Sequence, residues 1–197
     1  MLAGPQIVIL AAGAATRMRG ADKLLEMVDG VPQIRRIACA AVATQAAVYV
    51  ALPPDRPLRG AALRGLSVKR LTIADANLGM SASISGANAM IPPGPIMLLL
   101  ADLPEITVAD LLQMIAAHHA NPDCILRGTS AQGIPGHPVI LPDWARPELA
   151  MLTGDAGAAA VLKRHALTVR LIALPDRHAT TDLDTPEDWV AWRALRR

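Results

Sequence analysis

A chain of 197 residues is long enough for one well-cored domain and leaves little room for a second. Its 52% hydrophobic and 18% charged content excludes a disordered, solvating chain, although much of the apolar share is alanine. A formal net charge of +2 is too small to argue for a polyanionic partner, though it leaves room for a local basic pocket, and 2% aromatic residues with no Phe argue against a stacking platform for single-stranded nucleic acid.

The first ten residues, Met1 to Leu10, lack the basic and long apolar regions of a secretory signal. No later apolar run approaches the roughly 20 residues needed to cross a bilayer. A cytoplasmic protein with neither membrane nor nucleic-acid partner is the expectation. Ile7–Leu10 reads as a buried strand. After it come Leu10-Ala11-Ala12-Gly13-Ala14-Ala15-Thr16-Arg17-Met18 and then Lys23-Leu24-Leu25. Small residues let a loop backbone approach a polyphosphate with its N–H groups inward. Arg17 can grip phosphate oxygens as a planar fork, and Lys23 can add a compact charge. The pattern is neither a P-loop nor a dinucleotide fingerprint, so composition alone leaves a small-residue turn with solvated cations equally open.

Pro32–Gln45 reads as a helix, Val48–Leu52 as a strand, Pro53–Gly60 as a loop and Ser81–Ala89 as a helix. After the Pro92–Pro95 loop comes the most apolar strand, Ile96–Leu100, with Asp102 just beyond it. In an open α/β sheet that position can hold a metal in the crevice, or the Asp can serve as a local cap. Thr107–Ala120 opens with capping-box spacing, Asp110 standing in for Glu, and ends in His118-His119, which favour the helix dipole and receive no catalytic role. Cys124–Leu126 and Val139–Leu141 read as strands around a Gly133–Pro138 loop, Gly157–His165 as a helix and Val169–Leu174 as a strand. Cys39 and Cys124 lie in apolar stretches without metal-ligand spacing and are expected as small buried hydrophobes.

The last segment, Thr180-Thr181-Asp182-Leu183-Asp184-Thr185-Pro186, precedes a helix over Pro186–Leu195. If it is extended, Asp182 and Asp184 share a side, and either Asp184 caps the helix or it faces a metal. Strands alternating with helices imply a Rossmann-like, doubly wound, mostly parallel sheet with helices on both faces, binding ligands beyond the carboxyl ends of its strands.

Several segments together resemble one family. They are Leu10-Ala11-Ala12-Gly13 with Arg17-Met18 and Lys23-Leu24-Leu25, Asn77-Leu78-Gly79-Met80-Ser81-Ala82-Ser83, and Leu100-Ala101-Asp102-Leu103-Pro104. Gly136-His137-Pro138-Val139, Gly154-Asp155-Ala156-Gly157 and Asp182-Leu183-Asp184-Thr185-Pro186 complete the set, in order, over nearly the whole chain. The chain resembles the nucleotidyltransferases of molybdenum-cofactor maturation, and within them the molybdenum cofactor cytidylyltransferases, which carry Ala-Ala-Gly and Gly-Met-Ser-x-Ser.

That resemblance implies a nucleotide-diphospho-sugar transferase type of fold, CTP as donor, a molybdopterin-type cofactor as acceptor, Mg2+ as cofactor, and a molybdoenzyme or its chaperone as a further partner. Carried over by residue, it implies that Leu10, Ala11, Ala12, Gly13, Arg17, Lys23, Gly79, Met80 and Ser81 meet the nucleotide. Arg17, Lys23 and Asp102 would carry catalysis, and Asp102 and Asp184 would hold the metal. Gly136, His137, Pro138, Gly154, Asp155 and Asp182 would face the acceptor. Arg19-Gly20, where the family continues from Met18 directly with Gly, is the one departure. Guanylyl transfer, transfer to a sugar phosphate, and a non-catalytic cofactor carrier are the alternatives.

Overall fold

In chain order the described residues, 4–154 and 157–196 of this computed structural model, form β1 (Gln6–Leu10), β2 (Met27–Val28), β3 (Val31–Pro32), α1 (Gln33–Ala43) and β4 (Val48–Leu52). Then come α2 (Pro57–Ala62), β5 (Lys69–Thr72), α3 (Met80–Met90), β6 (Ile96–Leu100), α4 (Val108–Ala120), β7 (Ile125–Thr129) and β8 (Pro135–Leu141). Last are α5 (Arg146–Leu149), α6 (Ala159–Arg164), β9 (Val169–Ala173) and α7 (Pro186–Ala194).

Seven strands make one sheet in the order β5-β4-β1-β6-β8-β7-β9. β1 runs parallel to β4 and β6, β5 parallel to β4, and β9 parallel to β7. Only β8 is antiparallel to its neighbours β6 and β7. The sheet is therefore mostly parallel, as the strand–helix alternation implies.

Successive side chains leave opposite faces of a strand. Ile7, Ile9, Val48, Val50, Met97 and Leu99 pack on one face with Ile34 and Ile37 of α1 and Leu111 and Met114 of α4. Val8, Tyr49, Ala51, Ile96 and Leu98 pack on the other with Ile84 and Ala87 of α3, Leu149 of α5 and Val161 of α6. Each fully buried aliphatic side chain stabilises the fold by roughly 1.5–3 kcal/mol. Because both faces are covered, the central strands are apolar throughout.

Four readings of the sequence need correction. Pro53–Gly60 is not all loop: Pro57 starts α2, at the first-turn position where its missing N–H costs nothing. β5 has no counterpart among the expected strands because this edge strand reads Lys-Arg-Leu-Thr, charged as edges commonly are. Gly133–Pro138 is only partly loop, since Gly136, His137 and Pro138 belong to β8; the β7–β8 register shifts there, and such a bulge tolerates a proline without a ladder donor. Cys39 is exposed, because α1 buries Ala38 and Ala41 and turns the intervening position outward, while Cys124 is half-buried.

Both helix starts drawn from capping chemistry are present. Thr107 and Asp110 form a reciprocal capping box on α4. Thr185 and Asp188 form another on α7, which leaves the Asp184 carboxylate free of the capping role. α7 packs Trp189 and Trp192 with Leu183, Met18 and Val28, so the C-terminal helix closes over the segment that follows β1.

Candidate active site

A cleft of about 530 Å³ opens where β1 and β6 end at their carboxyl edges. Leu10, Ala12, Gly13, Ala14, Ala15, Thr16, Arg17 and Lys23 line it from the β1 side, and Leu100 and Asp102 from the β6 side. Ala76, Asn77, Gly79, Met80 and Ser83 line it from the start of α3, and Asp182 and Asp184 from the segment before α7.

The loop after β1 leaves a run of backbone donors unengaged. Among the described residues no backbone acceptor is bonded to the N–H groups of Ala12, Gly13, Ala14 or Ala15. Backbone donors rarely go unpaired unless something else meets them, and a run of them forms an anion-binding concavity. A Cβ built on Gly13 meets nothing within 4 Å, so that side of the loop is open space. Ala15 adopts left-handed φ 54°, which turns the chain into the short turn Thr16–Met18. Asp22 then caps the turn Lys23–Leu25 by accepting from the Leu24 N–H at 3.1 Å, which fixes where Lys23 begins.

Lys23 lies between two carboxylates. Its Nζ donates to Asp102 Oδ2 and, at 2.6 Å, to Asp184 Oδ1. Asp184 also accepts from Arg17, whose guanidinium is largely exposed at the mouth. Burial works to lower the Lys23 pKa, but Asp102 and Asp184 outweigh it and hold the ammonium above its ordinary value. Asp182 is pushed up, chiefly by burial, with the nearby charges of Asp102 and Asp184 adding to the effect. Asp102 Oδ1 is buried and has no hydrogen-bond partner among the described residues. A buried unpaired carboxylate oxygen is costly, and a hard cation is a natural partner for it.

Of the residues singled out from the sequence, Leu10, Ala12, Gly13, Arg17, Lys23, Gly79, Met80, Asp102, Asp182 and Asp184 all line this cleft. Ala11 sits behind the loop, its N–H bonded to Ala51 and its carbonyl to Arg59. Ser81 points away, donating to the Thr153 carbonyl at 3.1 Å, while Ser83, two residues further along α3, lines the cleft. Gly136, His137, Pro138 and Gly154 lie outside the lining, and Asp155 lies outside the described residues. A Cβ on Gly136 would stand 1.9 Å from the Ala179 carbonyl oxygen, so close backbone packing demands glycine there. His137 has a buried Nδ1 with no partner among the described residues, and burial lowers its pKa. The sequence motif includes Asn77 and Ser83 but assigns neither a role, and Asp22 and Arg59 behind the loop are not singled out at all. An acid directly before Lys23 and an arginine inside the apolar run of α2 were the available signals.

A mostly parallel sheet, a small-residue loop after the first strand, and converging acids and cations at the carboxyl edge are the arrangement of the nucleotide-diphospho-sugar transferase fold, and the family match that follows makes the chain a nucleotidyltransferase. The profile of the MobA-like NTP transferase domain matches residues 7–169, and the chain belongs to that family. It is similar to the bifunctional protein GlmU of Leifsonia xyli subsp. xyli, 30% identical over 146 residues, which is 71% of this chain and 29% of that protein. The chain thus spans under a third of that relative's length. It is also similar to Rv0371c from Mycobacterium tuberculosis H37Rv, with TM-score 0.84 and 25% identity over 100% of both chains. A second structure of Rv0371c, described as a complex with manganese, gives TM-score 0.78 and 24% identity over 95% of this chain and 97% of that one. Asp182 and Asp184 lie beyond the matched family segment. Among the described residues no helix is long and apolar enough to cross a membrane.

Proposed function

We propose that the protein transfers CMP from CTP to the terminal phosphate of a molybdenum-loaded molybdopterin and releases pyrophosphate. One observation carries the reading: Lys23, Asp102 and Asp184 converge beneath a loop with four unbonded N–H groups. Such a cluster handles a metal and a polyphosphate together. The cytidylyl and molybdopterin assignments rest on the sequence resemblance.

Asp102 and Asp184 would hold Mg2+, which when bound neutralises phosphate oxygens at the reacting centre. The donor set fits: Asp102 has an orphaned oxygen, and Mg2+ commonly takes one or two carboxylates, with water and substrate phosphates completing its shell. The manganese complex of Rv0371c is consistent with a divalent site in this fold.

The acceptor's phosphate oxygen attacks the α-phosphorus, that phosphorus loses its bond to the bridging oxygen, and pyrophosphate leaves with the electron pair. A phosphate monoester is already nucleophilic at neutral pH, so no side-chain nucleophile is needed. The loop N–H groups align the triphosphate, and alignment alone can remove much of the barrier. Lys23 and Arg17 stabilise charge that builds on the α-phosphoryl oxygens and the leaving group. To test the proposal, incubate the protein with Mg2+, molybdopterin and each of the four nucleoside triphosphates, and follow pyrophosphate. CTP should support turnover far better than GTP, because a wrong base leaves buried polar groups unpaired. Equal rates with GTP would remove the cytidylyl assignment, and tight pterin binding without any turnover would indicate a carrier.

A further inference from the structure

The geometry points to Arg59 as a positioning residue that sets the phosphate-binding loop from behind, an inference that rests on the nucleotidyl-transfer reading of the cleft. Arg59 comes from α2 and is completely buried. Its Nη1 donates to the carbonyls of Ala11 at 2.7 Å and Gly13 at 2.8 Å. Its Nε and Nη2 form a fork onto Asp22, at 2.7 and 3.0 Å. Arg56, at the start of the same helix, donates to the Ala14 carbonyl at 3.1 Å.

In a trans peptide the C=O and the following N–H point in opposite directions. The peptides from residue 11 to residue 15 are trans. Drawing the carbonyls of Ala11, Gly13 and Ala14 toward α2 therefore turns the N–H groups of Ala12, Ala14 and Ala15 the other way. All three residues line the cleft, and their N–H groups have no backbone acceptor among the described residues. Asp22 extends the effect, since the carboxylate that Arg59 grips also caps the turn carrying Lys23. One guanidinium thus orients both the anion-binding amides and the base of the catalytic lysine.

Stability alone accounts poorly for this arrangement. A buried ion pair can often be replaced by apolar side chains at no cost or with a gain. Nor would a lysine substitute, because its point charge lacks the planar fork that reaches two carbonyls and a carboxylate together.

The test compares wild type, Arg59→Lys and Arg56→Ala, each assayed for kcat and KM with CTP, Mg2+ and molybdopterin. Affinity for CTP is measured by titration calorimetry, and thermal unfolding is recorded for each protein. Arg59→Lys, assayed well below its Tm, should lower kcat by about 10²-fold, the usual scale for a slight misplacement of reacting groups. Affinity for CTP should fall alongside it. Arg56→Ala, which removes one partly exposed donor, should lower turnover by about tenfold, the equivalent of one charge-assisted hydrogen bond. Should Arg59→Lys fail to fold, Arg56→Ala decides. A lowered Tm with unchanged kcat, KM and affinity in the folded variants overturns the assignment and leaves the enzyme reading intact. A wild-type protein that neither binds nor turns over any nucleoside triphosphate overturns both.

Discussion

Replacing Lys23 with methionine isolates the electrostatics of the site. The ammonium lies between Asp102 and Asp184, and the three side chains are 15%, 16% and 27% exposed. At an effective dielectric of 20, opposite charges about 4 Å apart attract by about 4 kcal/mol. Removing one partner of a buried pair costs about 3–5 kcal/mol, and the residual solvent contact here reduces that to about 2–3 kcal/mol. In a chain of this size such a loss lowers Tm by roughly 4–12 °C. The variant then leaves two carboxylates facing each other, which a divalent cation can bridge without displacing an ammonium. Mn2+ at 100 times its Kd would restore about 2.7 kcal/mol. Thermal unfolding of wild type and Lys23→Met, with and without MnCl2, reads both effects. Lys23→Met should be destabilised, and Mn2+ should stabilise it more than it stabilises wild type. An undiminished Tm, or an equal metal response in both proteins, would refute the reasoning.

Three further outcomes follow from the same geometry. Asp102→Asn should keep the protein folded but cut pyrophosphate release by about 10²-fold or more, as measured at limiting Mg2+; near-normal activity there would assign Asp102 a backbone role. Gly13→Ala should leave stability unchanged or raise it by up to about 1 kcal/mol, because φ is not left-handed and the added methyl meets no protein atom. The same methyl enters the space above the loop, so CTP affinity by calorimetry should drop. His118 is held below the ordinary histidine pKa by burial, with the charge of His119 adding to it. The unfolded chain therefore binds that proton first as pH falls, so stability is lost from about pH 6.5 downward. Urea unfolding at pH 7.5 and 5.5 should show this slope, and His118→Gln should lessen it, leaving the share that His137, also held low by burial, contributes.

What could be read from the sequence follows from where each element sits. β1, β4 and β6 are covered on both faces, so each is an unbroken apolar run that marks its own position. β5 is an edge strand carrying Lys69 and Arg70, and nothing apolar announces it. β8 escaped in part because Gly136 and Pro138 are turn formers in isolation, and only the bulge opposite β7 makes room for them in a strand. The loop, Lys23, Asp102 and Asp184 were visible because a small-residue stretch and acids after strands carry local signatures. The choice between capping and facing the cleft at Asp184 needed the structure, which gives the cap to Thr185. Arg59 stood out only as an arginine within a short apolar stretch: its pairing with Asp22 spans 37 residues and exists only once α2 packs behind the loop.

The central claim is that Asp102 and Asp184 hold a divalent cation against a triphosphate seated on the Ala12–Ala15 amides. A crystal structure with Mn2+ and a non-hydrolysable CTP analogue, phased on the manganese anomalous signal, tests it most directly. One anomalous peak ligated by both carboxylates is expected, with the triphosphate on the loop and Lys23 turned onto a phosphate oxygen. A manganese peak away from Asp102 and Asp184, or a triphosphate away from the loop, would contradict it.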